Sequence, residues 1–140
     1  MGRASGVLMA VSSLPNSYGI GTFGKEAYDF IDFLVRTKQR YWQVLPLTTT
    51  SYGDSPYQSF SAAAGSPYYI DLKDLEKLGY LKSDDFEDIS FGTSKTCIDY
   101  GALFVNHRRL LNRAFDRFVQ DVPADFEKFC HDHAEWLDPY

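Results

Sequence analysis

The sequence predicts an α/β chain, built as one parallel βαβ unit followed by a helical half. Three observations carry this. Two short apolar runs, "GVLMAV" at 6–11 and "YWQVLPL" at 41–47, are bounded by Gly and Pro, as buried strands are. Between them "KEAYDFIDFLVRTKQ" places Ala27, Phe30, Ile31 and Leu34 at i, i+3, i+4, i+7, one face of a helix. From residue 71 onward the apolar spacing is helical.

The first run ends in turns at Ser12-Ser13 and Leu14-Pro15, and "NSYGIGTFG", with Gly19, Gly21 and Gly24, is a tight loop. The first helix carries acids early and Arg36 and Lys38 late, which suits its dipole. Strand, helix and strand within residues 6–46 imply a right-handed crossover. A long loop follows, and "YYIDL" reads as a short extended piece. "DLKDLEKLGY" is a brief helix with Leu72, Leu75 and Leu78 on one side and Gly79 as its stop. "KSDDFEDISFGTSK" is a polar loop. A long amphipathic helix spans "DYGALFVNHRRLLNRAFDRFVQD", with Leu103, His107, Leu111, Ala114 and Phe118 in its stripe. Pro123 opens the last helix, with Phe126, Phe129, Cys130 and Trp136 at helical spacing. Two parallel strands do not close a core. The chain therefore reads as the N-terminal piece of a larger α/β protein, with the stripe of the long helix open for a partner surface.

Composition excludes several classes. With 19 Asp and Glu against 14 Lys and Arg, the chain lacks the basic face of a nucleic-acid binder and a polybasic membrane anchor. The uncharged stretch 41–53 is too short and too polar to span a bilayer. No secretory signal is read at the N-terminus, so the expected location is the cytoplasm and Cys97 and Cys130 are expected as free thiols. Cys130 and His133 share a helical face but have no further ligand pair, so no metal site is expected, and no cofactor either.

The loop "SYGDSPYQSFSAAAG", 51–65, is longer than a connector needs. It follows the carboxyl end of the second strand, where parallel α/β folds bind ligands. Tyr52 and Tyr57 offer flat apolar faces and hydroxyl tips suited to pyranose rings, and Asp54 and Ser55 offer groups that bond sugar hydroxyls. The same residues also suit a loop that packs its tyrosines on its own scaffold.

Three strings in order and at the right spacing, "SGVL…SSLP…YGIGTFG", "RYWQVLPL" and "SYGDSPYQSFSAAAGSPYYIDL", resemble the amylomaltase family, the 4-alpha-glucanotransferases of glycoside hydrolase family 77. The resemblance covers residues 3 to about 80, and 97–120 more loosely through "DYGALF". It implies a (β/α)8 barrel with inserted segments. Residues 1–70 would supply the first two strands, the helix between them and the substrate loop 48–68, and residues 71–140 an incomplete helical inserted subdomain. It implies transfer of α-1,4-glucan segments between malto-oligosaccharides by a retaining double displacement. The two carboxyl groups this needs, about 5–5.5 Å apart, would lie in the rest of the polypeptide, so no catalytic residue is expected in this chain.

Carried over by position, Tyr57 would stack on a glucose ring and Ser55 hydrogen-bond it on the donor side of the cleft. Tyr52 matches a tyrosine linked to a second, more remote glucan site. Asp54 is read as shaping the loop or touching sugar. The chain departs from the family at Ala10, where many members carry His, at Ser66, where Asn is usual, at Ala63, where a larger apolar residue is common, and at Phe104, where some carry Tyr. These departures bear on substrate preference. The competing reading is a non-catalytic carbohydrate-binding module. An α-amylase-type hydrolase would share barrel and chemistry and release reducing ends without longer products.

Overall fold

The computed structural model describes residues 2–94 and 96–140. Strand β1 (Gly6–Leu8) pairs in parallel with β2 (Tyr41–Gln43), in register Gly6 with Tyr41, Val7 with Trp42 and Leu8 with Gln43. Glycine is required at position 6, since a Cβ there would meet the Tyr41 carbonyl oxygen at 2.5 Å. Helix α1 (Lys25–Arg36) crosses between the strands, as the sequence predicts. It buries Ala27 and Leu34, and Phe30 meets Trp42 edge to face with centroids 4.9 Å apart. Trp42 is fixed at its other end, where its Nε1 donates to the Met9 carbonyl at 2.8 Å. Ile31, expected on the buried face, is exposed.

The run expected as one strand over Val7–Val11 pairs only to Leu8. Met9 still donates to the Gln43 carbonyl, and the chain then turns through a 3-10 turn at Val11–Ser13 that buries Val11. The "YYIDL" piece is also not extended throughout: Pro67–Tyr69 form a 3-10 turn. Pro67 has no N–H to give a neighbouring strand and its fixed φ starts a turn. The Tyr69 N–H closes that turn on the Ser66 carbonyl at 3.1 Å.

Helix α2 (Leu72–Lys77) is capped by Asp71, whose Oδ1 accepts from the N–H groups of Lys73 and Asp74. The other oxygen of Asp71 accepts from the Thr22 hydroxyl at 2.5 Å, across 49 residues of sequence. One buried carboxylate thus caps α2 and ties it to the glycine-rich loop. Gly24 lies against this carboxylate, in the space a Cβ would take. The C-terminal stop of α2 is as expected, with Gly79 at φ +82°. Leu78, expected beside Leu72 and Leu75, faces solvent.

Helix α3 (Tyr100–Phe118) is capped by Asp99 and buries Leu103, His107, Leu110 and Ala114. This corrects the expectation of an open stripe. Leu110 and Ala114 pack with Leu72 and Leu81 in one core cluster, supported by Tyr18, Phe86, Ile89 and Phe91. Phe86, Ile89 and Phe91 come from the segment read as a polar loop, which holds a 3-10 turn at Ser83–Phe86. Arg117 fastens that segment to α3. Its two guanidinium nitrogens donate to the Asp85 carboxylate at 2.6 and 3.0 Å, and Nη1 also reaches the Tyr80 carbonyl. The Arg117 hydrogen bonds, helped by the Lys82 N–H, hold the Asp85 carboxyl down to about 2. The last predicted helix is divided into α4 (Phe126–Asp132) and α5 (Ala134–Leu137). His133, at φ −119° and ψ 11°, leaves helical geometry between them, and neither piece buries a residue. Among the described residues no helix is long and apolar enough to cross a membrane.

Candidate functional site

The loop after β2 is a folded hairpin. Thr48 and Gly65 pair antiparallel, and the Ser66 N–H donates to the Leu47 carbonyl at 2.8 Å. At its tip are two successive turns. Asp54 N–H closes on the Ser51 carbonyl, and Gln58 N–H on the Ser55 carbonyl. The first turn takes Gly53 to φ +95° and Asp54 to φ +54°. Asp and Gly are among the residues that tolerate this region. Serine hydroxyls brace the return arm: the Ser59 hydroxyl donates to the Ser61 carbonyl at 2.7 Å, and Ser61 Oγ accepts from the Ala64 N–H at 3.0 Å.

The hairpin borders two hollows. The larger, about 1140 Å³, lies between the hairpin and α3. Tyr52 and Asp54 stand on its loop side, Tyr68 and Pro67 on its floor, and Tyr100, Phe104 and Arg108 on its helix side. Tyr52 is 99% exposed, a ring held out with no packing partner. The Arg108 guanidinium lies over the Phe104 ring, 5.9 Å from its centroid. Tyr68 meets Tyr100 at 6.3 Å and the His107 ring edge to face at 5.8 Å. Burial, aided by the charge of Asp54, raises the pKa of both Tyr68 and Tyr100, so their hydroxyls stay protonated as donors at neutral pH. The smaller hollow, about 390 Å³, lies between Tyr57, Phe60, Pro46 and Pro56 and shares only Phe60 with the lining of the larger one. Tyr57 is 75% exposed there.

The four residues singled out from sequence are thus distributed. Tyr52 and Asp54 line the large hollow, Tyr57 lines the small one, and Ser55 lines neither, its carbonyl holding the second turn. Asp54 is the only carboxylate among the residues lining either hollow, and its Oδ1 sits 3.4 Å from the Thr50 hydroxyl. Tyr68, Tyr100, Phe60 and Arg108 were not singled out as site residues. The helical ones carried a signal: Tyr100, Phe104, His107, Arg108 and Leu111 recur at i, i+4, i+7, i+8, i+11, a single face. Of the family departures, Phe104 lines the large hollow without a hydroxyl, and Ser66 is buried at its base.

His107 is fully buried under this floor, and neither ring nitrogen has a hydrogen-bond partner. Burial pushes its pKa down to about 4, opposed only in part by the Ile70 carbonyl, which faces the ring without closing a normal hydrogen bond. An unfolded histidine titrates near 6.5. The fold therefore favours neutral His107. Its contribution is complete above about pH 6.5 and is lost as the pH falls toward 4, where the unfolded chain takes up a proton that the native ring refuses. The urea midpoint is expected to fall across that window in the native sequence and to flatten there in His107→Phe. Parallel profiles for the two proteins would refute the assignment.

The family model described as 4-alpha-glucanotransferase, glycoside hydrolase family 77, matches residues 9–140. The chain belongs to this family. It is 57% identical over 138 residues to the 4-alpha-glucanotransferase of Streptococcus pneumoniae, covering 97% of this chain and 27% of that protein. It is 45% identical over 142 residues to that of Thermus thermophilus, covering 99% of this chain and 27% of that protein. The amylomaltase of Streptococcus agalactiae, solved in complex with acarbose, superposes with a TM-score of 0.89 at 50% identity, over 95% of this chain and 27% of that one. The chain thus spans about 27% of the length of these 4-alpha-glucanotransferase relatives, and its mixed α/β fold is that of the matching part of an amylomaltase.

Proposed function

We propose that this chain is part of a 4-alpha-glucanotransferase, which moves α-1,4-glucan segments between malto-oligosaccharides, and that its hairpin is a sugar-binding wall of that enzyme. The observation that carries the proposal is the hairpin itself. It stands at the carboxyl end of a parallel strand and holds exposed tyrosines toward two hollows. Tyr57 is the donor-side stacking residue, with Ser55 beside it as a hydrogen-bonding residue. Tyr52 and Asp54 bind glucan at the larger hollow. The family relationship and a relative's complex with acarbose support a carbohydrate as the ligand.

In this reading β1 and β2 are the first strands of a (β/α)8 barrel, residues 71–140 belong to an inserted helical subdomain, and the enzyme works in the cytoplasm. The retaining reaction uses one carboxylate as nucleophile and one carboxylic acid as acid/base. The family relationship implies that both come from the remaining polypeptide, and Asp54 is the only carboxylate side chain lining these hollows. What this chain's residues do is bind and orient. Ring faces hold pyranoses in place, and protonated tyrosine hydroxyls donate to sugar oxygens. The test is maltotriose with the full-length protein. Glucose together with longer malto-oligosaccharides is the expected product set. Reducing ends without longer products would identify a hydrolase instead.

A further inference from the structure

Phe60 is the one residue common to the linings of both hollows. Its ring is 69% exposed, and its aromatic neighbour is Tyr140, stacked at 6.1 Å and 19°, which itself lines the large hollow. The backbone on either side is held: Ser59 Oγ bonds the Ser61 carbonyl and lies 3.4 Å from the Thr49 hydroxyl, and Ser61 Oγ receives the Ala64 N–H. A mostly exposed ring on a held backbone, with Tyr140 its one aromatic neighbour, moves by changing rotamer. Tyr52 and Tyr57 share no hollow, so Phe60 is the side chain that an occupant of either can touch.

We infer that Phe60 couples the two hollows, so that a glucan ring bound in the large one strengthens binding of a glucan in the small one. The inference rests on the sugar-binding reading above. Whichever occupant arrives first pays the entropy of fixing the Phe60 rotamer. The second meets a ring already in place, which is positive coupling without any backbone change. The coupling is also reciprocal. Immobilising one such side chain corresponds to about a two- to tenfold change in affinity. Phe60 is in this sense a positioning residue, which acts by setting the wall that each sugar meets.

The experiment is a mutant cycle in the full-length protein, read as KM for maltotriose. With Phe60 present, Tyr52→Ala is expected to raise KM about two- to tenfold, although Tyr52 does not line the Tyr57 hollow. In the Phe60→Ala background the same Tyr52→Ala change is expected to alter KM by less than about 1.5-fold. Phe60→Tyr, which keeps the ring, is expected to restore the coupling. Urea midpoints are run on each variant, and an exposed ring predicts that Phe60→Ala unfolds like the native protein. Equal effects of Tyr52→Ala in both backgrounds, with transfer intact, would overturn the coupling and leave the transferase reading standing. Absence of any reaction with maltotriose in the native full-length protein would overturn both.

Discussion

Leu110→Ala is expected to lower the free energy of unfolding by about 2–5 kcal/mol, the range for removing a large aliphatic side chain from a packed core. Leu110 has no exposed surface and packs in the core cluster with Leu72, Leu81 and Ala114. These neighbours come from α2, the turn after it and α3. Collapse into the vacated space would need α3 to shift toward α2, and the Arg117–Asp85 and Thr22–Asp71 contacts hold the flanking segments where they are. A cavity should therefore persist, which places the effect above the low end of the range. Against a typical stability of about 5–15 kcal/mol the loss is large. It is read from the urea midpoint at constant slope. Leu110→Met, which conserves volume, is expected to cost under about 1.5 kcal/mol. A loss below about 1 kcal/mol for Leu110→Ala would mean that α3 is not packed on α2 as described.

The contrast between α3 and the segment before it shows what the sequence could convey. The spacing of Leu103, His107 and Ala114 announced the helix and its apolar face, because a helix of five turns repeats its signal often enough to be read, but not that Leu72, Leu81 and the segment before the helix cover that face within this chain. The segment 82–94 offers no repeat. Its Phe86, Ile89 and Phe91 reach the core from a 3-10 turn and irregular chain, where periodicity carries no information. The strands pair over three residues each, so the apolar run overstated β1, and Pro67 decided for a turn against the β-rich residues that follow it. Long-range polar bonds were equally hidden. Nothing local to Thr22 or Asp71 reveals that one carboxylate serves both a helix cap and a loop 49 residues away. The aromatic loop was legible by composition and by the family strings. Its division between two hollows was not, since that depends on the Thr48–Gly65 pairing and on where the two turns at 51–54 and 55–58 point the tyrosines.

That division gives Tyr57 the second large effect. Tyr57→Ala in the full-length protein is expected to reduce transfer by on the order of 1–3 kcal/mol, the worth of one aromatic stack. This is roughly a five- to 150-fold loss in kcat/KM on maltotriose. The ring is 75% exposed and bonded to nothing in the hairpin, so packing gives no reason for the fold to suffer, and the urea midpoint should correspond to a change within about 0.5 kcal/mol. Tyr57→Phe separates the two parts of the side chain. If stacking dominates, Phe retains most of the activity; if the hydroxyl bonds the sugar, Phe loses part of it. A loop built only to pack its tyrosines predicts the opposite pattern, with stability falling and kcat/KM unmoved. Within this chain the ring is three-quarters in solvent, with most of its face free for a ligand, which favours the first pattern.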